Sequence, residues 1–158
     1  MVYIINQMKI EKLEQLRGEL ISNGCINFYI CGIRENPKVL DDVVCLDNIA
    51  GKWEIYYIEK GSKGKIYFST NDFDSAIDYY KNYINGIEHW HLVVFTRSKE
   101  IIDSYKNNFA DNNIKTIENN IPTYKNVGDI VFRLFVNKKD IFLAKKLFKD
   151  IPYYDGNK

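Results

Sequence analysis

The amino-acid sequence predicts an α+β protein in which an antiparallel sheet is flanked by helices. In several segments, apolar residues recur at three- and four-residue steps, the spacing of a helix packed along one side. Other segments are rich in β-branched and aromatic residues and alternate between two faces. The resulting order is αββββα over residues 1–86 and βαββα over residues 87–158, and we expect two lobes packed as one compact unit.

The first half begins with a helix and a pair of strands. Helical spacing of apolar residues runs from Tyr3 to Ser22, and Gly24 supplies a left-handed stop. The segments Ile26–Ile33 and Val39–Leu46 are typical of strands. Because Asn36-Pro37 suits a turn between them, we expect these two segments to pair as a hairpin.

A second hairpin is the strongest strand signal in the chain. In the run Gly51–Gly61, alternation predicts that Trp53, Ile55 and Tyr57 lie on one face. The other face then carries Glu54, Tyr56 and Ile58. Gly61–Gly64 is expected to turn the chain into a strand over Lys65–Phe68. A phosphate loop would need a helix N-terminus at this point, so we interpret these glycines as a hairpin turn.

A helix follows this hairpin. Asn71 is the expected N-cap, and Asp72 and Asp74 suit the positive end of the helix dipole. Asn85-Gly86 is expected to end the helix. The predicted buried stripe comprises Phe73, Ile77, Tyr80 and Ile84.

The second half is expected to start with a strand over His91–Phe95, followed by a helix capped by Ser98. Strands over Ile114–Glu118 and Asp129–Val136 come next. Asn137 is the expected N-cap of the last helix.

Composition limits the function classes. The 22 basic and 21 acidic residues leave a net charge of +1, so no overall field favours nucleic acid or an anionic membrane. The N-terminal segment lacks the unbroken apolar stretch of a signal peptide, and we expect a cytoplasmic protein. Cys25, Cys31 and Cys45 fit no zinc spacing, so we expect buried, reduced thiols.

Candidate catalytic and metal-binding motifs are weak. His89-Trp90-His91 could offer two ligands, but no third ligand is near in sequence, and we interpret the motif as a strand edge. Asp41-Asp42 and Asp47 lack the alternating ligands of a calcium loop. No Ser or Cys lies in a nucleophile-elbow pattern. We therefore predict that the protein holds no metal or other cofactor and that it is not an enzyme.

The tyrosines are the strongest functional lead. Aromatic residues make up 15% of the chain, with 12 Tyr, more than a core of this size normally needs. Tyr56 and Tyr79 lie off the predicted apolar stripes, so we expect them to be exposed anchors for a protein partner. Glu54, Asp74 and Asp78 are expected to flank them.

The hairpin also carries a family resemblance. Gly51–Gly61, with Phe68 and the Phe73, Ala76 and Tyr80 positions of the next helix, resembles a bacterial family with a W-x-V-x-Y-x-E-R-G hairpin and a capped helix. That family comprises immunity proteins of polymorphic toxin and contact-dependent growth inhibition systems. The resemblance covers residues 1–85 and departs from the pattern at Lys60, where Arg is usual.

Two functions therefore stand as hypotheses. The resemblance implies an immunity protein that binds a cognate toxin domain and occludes its active site. The second half is similar to a small βαββα module of signal-transducing proteins, through Val93–Arg97, Ile130–Val136 and Ala144–Leu147. The alternative is therefore a small-ligand-binding or regulatory module, with a pocket at the sheet of the second half.

Overall fold

Helices and strands occur in both halves of the chain, and the α+β class is confirmed. The computed structural model describes residues 2–33, 41–122 and 129–155. The chain divides into two compact units, Met1–Ile87 and Glu88–Lys158, one residue away from the boundary predicted from the sequence. Each unit has its own sheet and its own buried core. That the two lobes pack as one unit stays a prediction.

The first unit follows the predicted αββββα order. Its strands form one sheet in the order β1-β2-β3-β4. The elements are α1 (Val2–Ser22), β1 (Phe28–Ile30), β2 (Val43–Ile49), β3 (Lys52–Glu59), β4 (Ser62–Thr70) and α2 (Phe73–Gly86).

The expected hairpin between the first two strands is wrong, because β1 and β2 run parallel. Their register places Ile30 beside Leu46, and both side chains are buried in the core. A turn signal suits two antiparallel strands, because the chain reverses direction between them. Parallel strands instead need a crossover connection that brings the chain back to the end of the sheet where the first strand began. The predicted Asn36-Pro37 turn and the start of the predicted Val39–Leu46 strand lie outside the described residues.

The second hairpin is present, but its turn is tighter than predicted. Lys60 and Gly61 form the turn, with φ angles of 51° and 72°. Two consecutive left-handed residues match the twist of antiparallel strands, which is why two-residue hairpin turns use this conformation. Ser62 therefore already belongs to β4, and the expected Gly61–Gly64 turn is wrong in its extent.

The core of the first unit lies between the two helices and one face of the sheet. It is apolar apart from the hydroxyl of Tyr80, which is completely buried. The Tyr80 hydroxyl donates to the backbone oxygen of Val44 at 2.7 Å and lies 3.2 Å from that of Tyr29. The buried core residues contributed by the helices are Leu13, Leu16, Leu20, Ala76, Tyr80 and Ile84.

The N-cap of α2 is Asp72, not the predicted Asn71. The Asp72 carboxylate accepts a hydrogen bond from the backbone N–H of Ser75 at 2.9 Å. This bond pairs one of the N–H groups that a helix leaves unsatisfied at its start. Hydrogen bonds from the Ser75 hydroxyl and, to a smaller extent, from the Ser75 backbone N–H hold the pKa of Asp72 below its ordinary value.

The second unit contains the predicted βαββα elements and two further short strands. Its main sheet has the order β6-β8-β5-β9, with β7 also paired to β8. The elements are β5 (Trp90–Thr96), α3 (Lys99–Asp111), β6 (Thr116–Glu118), β7 (Ile121–Pro122), β8 (Ile130–Asn137), α4 (Asp140–Leu147) and β9 (Tyr153–Tyr154).

The two predicted caps of this unit have different outcomes. Ser98 caps α3 as predicted, because its hydroxyl accepts from the Ile101 N–H at 3.3 Å. Asn137 does not cap α4: it is the last residue of β8, and its side-chain oxygen accepts from the backbone N–H of His89 at 2.9 Å. This hydrogen bond therefore links the residue just before β5 to the last residue of β8.

The cysteines and the apolar character of the helices are two further features of the described residues. The three cysteines form no disulfide; Cys25 and Cys45 are buried as expected, whereas Cys31 is half-buried. Among the helices of the described ranges, none combines the length and the apolar character that a membrane span requires.

We expect Tyr80→Phe to destabilise the first unit by about 1 kcal/mol, because the change removes the buried hydrogen bond from the Tyr80 hydroxyl to the Val44 backbone oxygen. Urea denaturation measures this loss. Tyr79→Phe is the matched control, since Tyr79 is half-buried on the same helix, and it should cost less than about 0.5 kcal/mol. Equal effects of the two substitutions would show that the Tyr80 hydroxyl adds nothing.

Candidate functional site

The five residues predicted to bind a partner do not form one surface. Glu54 and Tyr56 belong to β3, whereas Asp74, Asp78 and Tyr79 belong to α2. Trp53 and Ile55 of β3 pack with the helices, so their alternate neighbours Glu54 and Tyr56 project from the opposite face of the sheet. The expectation that the acidic residues flank both tyrosines on one surface is therefore wrong, whereas the partner-binding role of these residues stays a prediction.

Tyr56 is buried, contrary to the prediction that it is exposed. Only 7% of its surface is accessible, and it packs with Cys45 and Ile58 in a second small core. Its hydroxyl donates to the Asp47 carboxylate at 2.9 Å. Burial, followed by this hydrogen bond, raises the pKa of Tyr56 well above its ordinary value. Alternation identified the face of Tyr56 correctly, but it does not reveal whether that face is covered.

Glu54 already has an intramolecular partner. Its carboxylate forms an ion pair with Lys63 of β4, and the Glu54 side chain is only 15% exposed. The Lys63 ammonium also lies 4.5 Å from the centroid of the Tyr56 ring. Glu54, Tyr56 and Lys63 thus form one internally satisfied group.

Asp74 and Asp78 lie on the side of α2 that borders α1. Lys12 of α1 forms an ion pair with Asp74 at 3.1 Å, and both side chains are largely exposed. Both aspartates line a shallow recess of about 200 Å³. Exposed ion pairs of this kind contribute little to stability.

Tyr79 is the predicted residue that belongs to an extended aromatic surface. Its ring stacks on Phe68 of β4, with centroids 4.3 Å apart and planes 6° from parallel. Tyr83 stacks on Tyr67 of β4 at 5.0 Å and lies 6.3 Å from Tyr79. All four side chains are half-buried. We call the set of Tyr67, Phe68, Tyr79 and Tyr83 the aromatic face.

A β-bulge explains why two consecutive residues of β4 join the aromatic face. Ile55 pairs with Phe68, but the next β3 residue, Tyr56, pairs with Ile66, so Tyr67 is an extra residue in β4. Consecutive strand residues normally point to opposite faces, whereas a bulge lets two of them oppose one partner residue. Tyr67 and Phe68 therefore both pack towards α2.

The aromatic face consists mainly of apolar ring surface and also carries the hydroxyl groups of its tyrosines. Burial, followed by hydrogen bonding to Tyr67, raises the pKa of Tyr83 above its ordinary value. The Lys65 ammonium lies 5.7 Å from the Tyr67 centroid. Asp78, exposed on α2, is the chain neighbour of Tyr79. Such a surface offers contact area and hydrogen-bond donors.

The sequence had indicated Tyr79 because this residue lies off the predicted apolar stripe of its helix. It missed Tyr67 as a functional residue, since simple alternation assigns Tyr67 and Phe68 to different faces. The adjacent aromatic pair after a glycine-containing turn was the one available signal for the bulge.

The second unit contains a cavity of about 460 Å³ between α3 and the segment that follows α4. This volume lies within the ordinary range for small-molecule sites. The sequence predicted a pocket at the sheet, whereas helix α3 supplies most of the wall of the observed cavity. The lining residues are Glu100, Ile101, Ser104, Tyr105, Asn108, Phe148, Asp150 and Tyr153.

The histidine motif lies at the start of β5. His91 is part of the strand, as predicted, and His89 is buried, with only 2% of its surface exposed. In the described ranges, no three His, Cys, Asp or Glu side chains are grouped closely enough to hold a metal ion.

We expect Phe68 and Tyr79 to be energetically coupled. A double-mutant cycle of Phe68→Leu and Tyr79→Leu, measured by urea denaturation, should give a coupling of about 0.5–1.5 kcal/mol, as stacked rings do. Pairing Phe68→Leu with Ile21→Ala, a change at an exposed α1 residue, should give additive effects. Additivity in the Phe68–Tyr79 cycle as well would contradict stabilising stacking.

Comparison with protein-family models, with curated proteins and with solved structures gives no match to this chain.

Proposed function

We propose that this protein is an immunity protein that binds a cognate bacterial toxin domain through the aromatic face and occludes the toxin's active site. The stacked, half-exposed rings of Tyr67, Phe68, Tyr79 and Tyr83 are the observation that carries the proposal. Tyrosine and other aromatic residues dominate the energetic centres of protein interfaces. The hairpin resemblance supports the same function.

Preorganisation also favours this surface as a binding site. The Tyr79 and Tyr83 rings stack on rings of β4, so their rotamers are restrained before a partner arrives. Binding then costs less side-chain entropy than it would for free surface residues. Tight inhibition by a small protein benefits from this saving.

The charge of the chain bears on the kind of toxin. With a net charge of +1, the protein does not supply the strongly acidic surface that speeds encounter with basic nucleases. We therefore propose a toxin whose contact area is mainly apolar, with Lys65 at the rim of the aromatic face. Glu54 and Tyr56 are left out of the proposed interface because they pair with Lys63 and Asp47.

The test is co-expression with the toxin domain encoded beside the gene. The wild-type protein should relieve killing and should form a complex on a sizing column. Tyr79→Ala should weaken toxin binding by roughly 30-fold or more, as expected when a central aromatic anchor is removed.

Two further variants make this test specific. Lys65→Glu reverses an exposed charge beside Tyr67 without disturbing the core, and it should change the rate of association with the toxin more than the rate of dissociation. Tyr154→Ala, at a residue that is 55% exposed in the second unit, should leave protection unchanged. Unrelieved killing by the wild-type protein, with no complex formed, would reject the proposal.

A second function, the binding of a small ligand, is favoured by the cavity of the second unit. Its wall combines three aromatic rings with hydroxyl, amide and carboxylate groups, the mixture that small-molecule sites use for affinity and orientation. A ligand-binding unit joined to a partner-binding unit would form a regulatory module.

A thermal-shift screen with nucleotides, amines and divalent metals tests this second function. A ligand present at 100 times its dissociation constant should stabilise the folded protein by about 2.7 kcal/mol. Ser104→Phe should abolish the shift by filling the cavity, whereas Asn107→Phe, on an exposed α3 residue outside the lining, should preserve it. A screen without any stabilising compound would count against ligand binding.

A further inference from the structure

We infer that the cavity of the second unit binds an organic ammonium ion, a cation that carries alkyl or methyl groups. The inference rests on the proposed ligand-binding function and names the chemical class of the ligand. It is carried by an aromatic wall, by two carboxylates without a cationic partner, and by carboxylates bonded to the tyrosine hydroxyls.

Three aromatic rings form one wall of the cavity at different inclinations. Tyr105 lies 5.2 Å from Phe148, with planes at 62°, and 5.7 Å from Tyr153, with planes at 39°. These inclined rings pack against one another and form a continuous aromatic wall on one side of the cavity. Aromatic faces attract cations, and sets of them recognise quaternary ammonium groups.

The cavity also carries two carboxylates that form no salt bridge within the described part of the chain. Glu100 and Asp150 line it, and neither forms an ion pair with a Lys or Arg of the described residues. The two α3 lysines are engaged elsewhere, since Lys99 binds Asp103 at 2.7 Å and Lys106 binds Glu118 at 2.9 Å. Lys149 is exposed and is not part of the lining. A cation gains from this field, whereas a phosphate or carboxylate is repelled.

Carboxylates also act on the rings themselves. The Tyr105 hydroxyl donates to Asp150 at 2.6 Å, and the Tyr153 hydroxyl donates to Asp155 at 2.7 Å. Donation to a carboxylate shifts electron density from the O–H bond into the ring, which makes each ring face more attractive to a cation. Asp150 therefore both lines the cavity and polarises its central ring.

The apolar part of the lining favours an organic cation over a metal ion. Metal ions such as Ca²⁺ prefer several converging oxygen ligands, whereas rings and the Ile101 side chain suit methyl groups. The volume of about 460 Å³ accommodates a substituted ammonium group with its attached chain.

The test compares choline with dimethylbutanol, its neutral carbon isostere, by titration of the wild-type protein followed in amide NMR spectra. Choline should shift the resonances of Ser104, Asn108 and Tyr153 and should saturate. The isostere should bind at least tenfold more weakly, since it has the same shape without the charge.

Conservative variants test the assigned residues. Asp150→Asn and Glu100→Gln keep the side-chain volume at exposed positions, and each should weaken choline binding roughly fivefold while leaving binding of the isostere unchanged. Tyr105→Phe, which keeps the ring and loses the bond to Asp150, should also weaken choline binding. Asp111→Asn, at an exposed α3 residue outside the cavity, is the matched control and should bind choline normally.

The ammonium group could belong to a free metabolite or to a modified protein side chain, and a trimethyllysine peptide separates these sources. Tighter binding of choline than of the peptide supports a free ligand, and the reverse supports a protein side chain; both support an ammonium site. Equal affinity for choline and dimethylbutanol, or no choline-induced shift, overturns the inference. If another compound still stabilises the protein in the thermal screen, the ligand-binding function survives this failure.

Discussion

The buried Tyr80 hydroxyl fixes how helix α2 sits on the sheet of the first unit. A hydrogen bond to the Val44 carbonyl of β2 works at only one rotation of the helix, because the hydroxyl lies at the end of a rigid ring. That rotation points Ala76 and Ile84 into the core and leaves Tyr79 and Tyr83 on the flank beside β4. An apolar residue at position 80 would fill the same space without selecting one rotation. The aromatic face therefore depends on a polar contact made inside the core.

Periodicity predicted most of this fold because it reflects local geometry. Helical spacing predicted the burial of Tyr80 and Ile84 but missed Ala76, whereas Phe73 and Ile77 of the predicted stripe are only half-buried. The alternation of Trp53 and Ile55 defined the inner face of β3. Features that depend on distant partners were not predictable. The direction of β1 depends on how its chain returns to β2, and the role of Asn137 depends on His89 lying within reach.

The candidate sites were harder to predict for the same reason. Exposure of Tyr56 depends on whether the second face of the sheet is covered, and one strand's sequence does not contain that information. The cavity of the second unit joins Tyr105 on α3 with Phe148 and Tyr153 from the end of the chain. Tyr105 packs against the core of the second unit and also lines the cavity, a double role that helical spacing alone does not reveal.

The extra residue in β4 has a consequence for how this protein diversifies. Removing a single residue at the Tyr67 bulge would eliminate the extra residue between Ile66 and Phe68 and turn the side chains on one side of it to the opposite face of the sheet. Changes in the length of β4 would thus alter the exposed chemistry of the hairpin more abruptly than substitutions would. In a lineage that must keep pace with changing partners, such an insertion or deletion replaces a whole recognition surface in one step.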